Sequence, residues 1–597
     1  MLRILVLSLL CIGDAIAGEK PSVSGDLQKW GAAAITFHGH QTSEDASPNP
    51  FLDYRLSVTF THGSSVYTVP GYYAADGAAG ESGASNGDCW RVHFLPDAEG
   101  DWNYKVSFVA GKNAAIDAGV GKSTAFDGAS GTFTIQPINQ SKSDSRAKGL
   151  LRYVGKHYLQ FAETGEYFIK GGADSPENFL AYFEFDGTAS KQAGKPRREG
   201  EAAPSPLHHY QPHSQDWRSG DPVWRNGQGK NIIGALNYLA GKGMNSVYFL
   251  TMNVIGDGRD VWPWTSDEER LRFDCSKLDQ WEIVFSHMDR LGLMQHVITQ
   301  ETENDQLLDG GELGVERKLY YRELIARFAH HPALVWNLGE ENTNTDSQRK
   351  AFAEYIQNID PYKHPIVVHT FPEKYDEVYK PLLGFRDFYG PSLQMGDMNK
   401  THSETIKWFD RSSASSRPWF ICVDEIGPPD IGVMPDADDP AHDQARQQAL
   451  WGNLMAGGAG CEWYFGYKFA HNDLNCEDWR SRERLWDMTR YALEFFQNDL
   501  PFAEMVHADE LTPDPDDYVF AKPGEIYAIY MPHGGSPQIK LGEGNYSVLW
   551  FNPREGGDLR EGGIKSIAGP GTKSIGAPPS DPDKDWTALL KRISNNQ

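Results

Sequence analysis

The sequence is short of cysteine, of clustered positive charge and of long apolar runs, and each shortage removes a class of function. Six cysteines in 597 residues include Cys11 near the N-terminus, leaving Cys89, Cys275, Cys422, Cys461 and Cys476 in the body of the chain. None stands in a CxxC pair or has the histidine spacing of a zinc site, so no metal centre and no cofactor is expected. There is room for one or two disulfides, but a chain of this length does not need them; Cys422 and Cys461, in apolar strand-like runs, read as buried thiols. The formal charge is −26 and the one basic run is Lys195-Pro196-Arg197-Arg198. Phosphate backbones require clustered Lys and Arg, so nucleic acid is excluded as a partner. The one long apolar run, Ile4 to Ile12, follows Arg3 and precedes Ala15-Ile16-Ala17. That is a signal peptide over residues 1–17, too short to span a bilayer. The expected protein is secreted or periplasmic, with no membrane partner after cleavage. No Gly-rich phosphate loop follows the first strand, and no GxSxG elbow marks a serine hydrolase.

What is present is a folded, aromatic-rich chain, 40% hydrophobic with 17 Trp and 26 Tyr. Such rings fill cores, and they also make the flat faces on which sugars stack. Residues 18–140 alternate polar and apolar positions between Gly-, Ser- and Asp-rich turns, as in an immunoglobulin-like β-sandwich. A polar linker is expected over 141–157. From 158 to 500, short apolar runs alternate with helical ones. Strands are expected at 167–170, 246–250, 294–298, 334–336, 366–369, 385–388, 419–423 and 461–464. Eight is the count of a (β/α)8 TIM barrel. Residues 505–597 return to a β pattern, so the fold class is multidomain: a central barrel flanked by N-terminal and C-terminal β-sandwiches. The long polar loop from Phe185 to Asn226 is of a length that usually serves a function or stays disordered.

Two strand ends deliver acids. His331-Pro-Ala-Leu-Val-Trp-Asn-Leu-Gly-Glu-Glu-Asn342 places carboxylates just past a short apolar strand, and Pro418-Trp-Phe-Ile-Cys-Val-Asp-Glu-Ile-Gly427 does the same. Glycoside hydrolysis needs two carboxyl groups across the scissile bond, and a barrel presents its chemistry at the C-terminal ends of strands. Taken singly, a strand-end glutamate is as a rule a surface residue or an ion-pair partner; the matched pair is what points to catalysis. Glu340 and Asp424 compete with their neighbours, since adjacent strand residues point to opposite sides. Glu301 and Glu303, after the third strand, are further rivals.

Trp336-Asn-Leu-Gly-Glu-Glu341 and Glu425-Ile-Gly427 resemble the strand-four and strand-seven motifs of clan A retaining glycoside hydrolases. More broadly, the chain resembles apiosidase-like barrels with an N-terminal sandwich and a C-terminal collagen-binding-like sandwich. The resemblance implies Glu341 as acid/base, Glu425 as nucleophile and a poly- or oligosaccharide as substrate. Glu340 stands where the family has asparagine, and so marks a different sugar contact or an adjustment of its neighbour. Asp174, Asn253, His369 and Tyr389, at other strand ends, are candidate sugar contacts, and Trp463 resembles the family's platform tryptophan. Each has a plainer reading: a helix cap for Asp174, a structural histidine for His369, core packing for Trp463. Trp262 and Trp264 are candidates for an outer subsite. The acids of Asp473 to Asp478 suggest calcium without matching an EF-hand.

Overall fold

The computed structural model describes residues 20–191 and 207–593. The expected signal peptide and the basic run at 195–198 lie outside the described residues. Eight parallel strands close into a barrel: β1 Lys170–Ala173, β2 Ser246–Leu250, β3 Met294–Ile298, β4 Leu334–Asn337, β5 Ile366–Thr370, β6 Gly390–Met395, β7 Cys422–Ile426 and β8 Gly460–Trp463. Every residue of all eight is buried. Helices cover the outside, so the strands read as continuous runs rather than alternating ones. Of the two longest helices, Glu483–Asp499 buries one face and exposes polar side chains such as Glu494 and Gln497 on the other, whereas Cys275–Leu291 is covered along most of its surface and exposes only Arg290.

Three strands fall elsewhere than the sequence suggests, the seventh running over Cys422–Ile426 instead of 419–423. The first begins at Lys170 rather than Tyr167, which makes only an isolated bridge to Gln160. Its sequence, Lys-Gly-Gly-Ala, has little strand propensity. Glycine is needed there because a Cβ on Gly172 would lie 2.1 Å from the Ser246 carbonyl oxygen. The sixth begins at Gly390, not at Phe385, although Pro391 argues against a central strand. A Cβ on Gly390 would meet the Phe420 carbonyl oxygen at 1.8 Å, so close strand contact again selects glycine over a β former.

The barrel interior is charged at its base. Lys170 pairs with Asp424 and, at 3.0 Å, with Glu462. His296 Nδ1 donates to Glu462 at 2.7 Å while its Nε2 accepts from Asn337 Nδ2 at 3.1 Å, and Ser246 also donates to Glu462. Against the upward push of burial, Lys170 and His296 hold the Glu462 carboxyl down to about 2. Removing one partner of a buried pair strands the other, so Lys170→Met is expected to cost about 3–5 kcal/mol in chemical denaturation. A loss below about 1 kcal/mol would mean that the network is not an ionised one.

Antiparallel sheets flank the barrel. N-terminal strands form two, ordered Ser22–Gly25, Ala33–Ser43, Asn86–Phe94, Tyr72–Tyr73 and Ser65–Pro70, Tyr54–His62, Gly100–Ala110, Lys122–Ser123. They dock through Arg322, which donates to the Gly71 and Leu56 carbonyls at 3.1 and 3.0 Å. A six-stranded and a two-stranded sheet share a separate apolar core beyond residue 505. That unit is tied to the barrel by the Arg446–Asp585 pair at 2.9 Å and by Trp451 stacked on Tyr530 at 4.8 Å. Cys89, Cys275, Cys422, Cys461 and Cys476 are buried free thiols. Among the described residues no helix is long and apolar enough to cross a membrane.

Candidate active site

Glu425 reaches the mouth of the barrel through a β-bulge. Along the β6–β7 pairing Leu393 faces Val423 and Gln394 faces Glu425, so Asp424 is an extra residue. A bulge re-aims side chains. Asp424 turns into the barrel and is locked to Lys170, while Glu425 also turns inward, toward β5 and β6. Strict alternation, the basis for expecting these two acids to point oppositely, fails here for that reason.

Glu341 stands four residues beyond the end of β4. Its backbone adopts φ +44°, a left-handed conformation uncommon for a side chain of this size. The loop is held by Thr302 Oγ1, which donates to the carbonyls of Glu340 and Glu341 at 3.0 and 2.9 Å. Glu340 N donates to Gln300 O at 2.9 Å and Asn342 N to His369 O at 2.9 Å. Strain of this kind is kept where surrounding bonds enforce it, and it gathers at functional sites.

Gln394, at the end of β6, joins the two acids. Its Nε2 donates to Glu341 Oε1 at 2.7 Å and to Glu425 Oε2 at 2.6 Å. Both neighbours are carboxylates, which fixes the amide orientation. The two accepting oxygens therefore lie no more than about 5.3 Å apart, the two bond lengths end to end. His369 Nε2 stands 3.3 Å from Glu425 Oε2, and its Nδ1 meets the Tyr248 hydroxyl at 3.1 Å.

These groups line a cleft of about 370 Å³ whose floor is rich in further acids: Glu177, Glu301, Glu340 and Asp473. Burial, then the charge of Glu425, pushes the Glu340 carboxyl well above the usual range. Burial followed by neighbouring carboxylates does the same for Glu177, Glu301 and Asp174, and burial raises Asp473 to about 6. A neutral Glu340 donates a hydrogen bond, as an amide does, which an ionised one cannot.

The raised Glu301 carboxyl makes a stability prediction. Below its ordinary value of 4.5 it is protonated folded or unfolded. As pH rises the unfolded chain releases that proton first, so the folded state loses stability. Glu301→Gln removes the loss and is expected to raise Tm at pH 8 while leaving it unchanged at pH 4. An equal shift at both pH values would contradict the assignment.

Of the other expected contacts, Asp174 lies buried behind the acids, and its Oδ1 hydrogen-bonds no protein atom. Asn253 is buried in the loop after β2, accepting from Arg259 N at 3.2 Å, and shapes that loop rather than lining the cleft. Tyr389 precedes β6 instead of following it. It sits at the opposite end of the barrel, donating to Gln357 at 3.3 Å beneath the Arg417 guanidinium. Trp463 points outward to the helix layer, donating to Thr489 Oγ1 at 2.9 Å, and is core rather than a platform. Trp262 and Trp264 are buried as well. Of the 473–478 acids only Asp473 faces the cleft; Glu477 binds His208 at 2.9 Å. Sequence reasoning missed Gln394, Glu177, Phe371 and Tyr464, all of which line the cleft, and singled out Asp473 only as one of a run of acids suggesting calcium. Tyr464, next to the expected Trp463, was one residue of register away.

Residues 26–109 match the family described as a domain of unknown function, DUF5060. No curated protein matches the chain. Among solved structures it is similar to a candidate glycoside hydrolase from Bacteroides vulgatus ATCC 8482, with a TM-score of 0.62 and 15% identity over 95% of this chain and 99% of that one. A second solved structure, of a glycoside hydrolase, gives a TM-score of 0.50 and 12% identity over 77% of this chain and 100% of the other. The fold is shared with glycoside hydrolases. At these identities the likeness concerns architecture, and chemistry has to be argued from the cleft.

Proposed function

We propose that the protein is a secreted retaining glycoside hydrolase of the clan A, apiosidase-like kind, acting on an extracellular poly- or oligosaccharide. The observation that carries this reading is the Gln394 bridge, which keeps the Glu341 and Glu425 oxygens within about 5.3 Å. Retaining pairs stand about 5–5.5 Å apart, whereas inverting pairs leave about 6.5–9.5 Å for a water between them. Both acids sit past the C-terminal ends of barrel strands, where barrel enzymes carry their chemistry.

Glu341, half-buried on the cleft wall, protonates the glycosidic oxygen as the bond to the leaving group breaks. Glu425, deeper and at 6% exposure, attacks the anomeric carbon and forms the glycosyl-enzyme. Glu341 then takes a proton from water, which displaces Glu425 and restores the original configuration. Gln394 uses both N–H groups to hold the two carboxylates in register, and such preorganisation is what a displacement at one carbon requires. Phe371 and Tyr464 supply apolar surface for sugar faces.

Glu340 is the second reading for the acid/base, favoured by its raised carboxyl and its place near Glu425. It is buried at 5% exposure, however, whereas Glu341 is half-buried and more open to a departing group. Hydrolysis of a panel of plant, algal and microbial glycans by wild type, Glu425→Ala, Glu341→Ala and Glu340→Gln tests both assignments. Sugar release by wild type that the first two variants lose supports the pair. Release that Glu340→Gln loses and Glu341→Ala keeps moves the role to Glu340. Binding without release supports a carbohydrate-binding protein on a degenerate barrel.

A further inference from the structure

The cleft is lined by more acids than the two that the proposed reaction uses. One oxygen each of Glu177, Glu301 and Glu340 lie within 4.8 Å of one another. Glu340 also comes within 4.8 Å of Glu425 and His369, so whatever this triad holds is a neighbour of the carbon that Glu425 attacks. Glu301 Oε2 and Glu340 Oε2 are buried atoms that hydrogen-bond no protein group, on side chains only 5% exposed. A buried carboxylate oxygen without a partner is costly, and both oxygens belong to side chains that line the cleft. Among the described residues lining the cleft none is Lys or Arg.

The chemistry of this lining selects among sugars. A uronate or a sulfate ester would enter a lining of acids with no Lys or Arg to pair its charge. A neutral hydroxyl donates one hydrogen bond and completes one oxygen. A primary ammonium donates three and brings the opposite charge. Three oxygens each about 2.8 Å from a tetrahedral nitrogen stand about 4.6 Å apart, inside the 4.8 Å limit within which the triad's oxygens lie. Calcium asks for about six to eight oxygens.

We propose that Glu177, Glu301 and Glu340 form a subsite for a primary ammonium on the sugar held at the reacting position, so that the substrate class is a glycan containing amino sugar with a free amine. The position beside the scissile bond rests on the hydrolase reading; the ammonium preference rests on the triad. Bound ammonium favours the ionised form of the carboxyls it touches, so binding is expected to release protons.

Isothermal titration calorimetry of the full chain at pH 6 tests this without turnover. The probes are glucosamine, galactosamine and their short free-amine oligomers, each beside its N-acetyl and neutral hydroxyl counterpart, with glucuronic acid and calcium chloride alone as further arms. At least one free-amine sugar is expected to bind about tenfold tighter than both its counterparts, with proton release in buffers of different ionisation enthalpy. Glu177→Gln and Glu301→Gln are each expected to remove most of that preference while circular dichroism and Tm report an intact fold. No preference for any free-amine sugar would overturn the proposal. So would calcium binding that displaces the amino sugar and that Glu301→Gln abolishes, which would make the triad a metal site. Because none of these arms needs hydrolysis, amine-selective binding without cleavage in the glycan panel would sink the hydrolase reading and leave the subsite standing.

Discussion

Glu425→Ala is expected to lower kcat at least about 10⁴-fold on any glycan the wild type cleaves, because no other group can take over covalent attack from that face. Asp424 is adjacent in sequence but is committed to Lys170 inside the barrel. His369 Nε2 is 3.3 Å from Glu425 Oε2, yet the ring is fully buried and does not line the cleft. The truncation leaves a space the size of the lost carboxylate, so azide or formate should restore turnover. With azide the product should be a glycosyl azide of inverted configuration, since a single displacement replaces two. Loss without rescue, together with a lowered Tm, would show damage to the fold instead of to the nucleophile.

Glu341→Ala is expected to act differently. General acid catalysis contributes about 10²–10⁴-fold, and the loss should scale with the basicity of the leaving group. On a natural glycan, where the departing alkoxide needs its proton, the full loss is expected. On a dinitrophenyl glycoside the first step should be nearly unaffected and the second slowed, so a burst of phenolate should precede slow turnover. The KM should fall with kcat as glycosyl-enzyme accumulates. A uniform loss across leaving groups would point to Glu340 as the acid.

The barrel and its two acidic strand ends were legible because apolar runs of four or five residues between helical patterns can form little else in an α/β chain. Strands β1 and β6 were not, since Lys170–Ala173 and Gly390–Met395 are chosen for close backbone approach, which glycine provides and propensity does not register. Misplacing β6 hid Gln394 and put Tyr389 at the wrong end of the barrel. The bulge at Asp424 was invisible for another reason: it depends on the register with β6, a property of two strands and not of one. Glu177 and Asp473 come from separate loops 296 residues apart in the chain and meet only through closure of β1 against β8. Trp463 shows the reverse error, in which a motif likeness outweighed the plainer possibility that a strand tryptophan faces the helices.

The most direct test of the central claim is proton NMR of the first-formed anomer during hydrolysis of whichever glycan in the panel the wild type cleaves, repeated with Glu425→Ala. Two displacements at one carbon, through carboxylates held by Gln394, predict a first product with the anomeric configuration of the substrate and no product from the variant. An inverted first product, or release that persists in Glu425→Ala, would contradict the account.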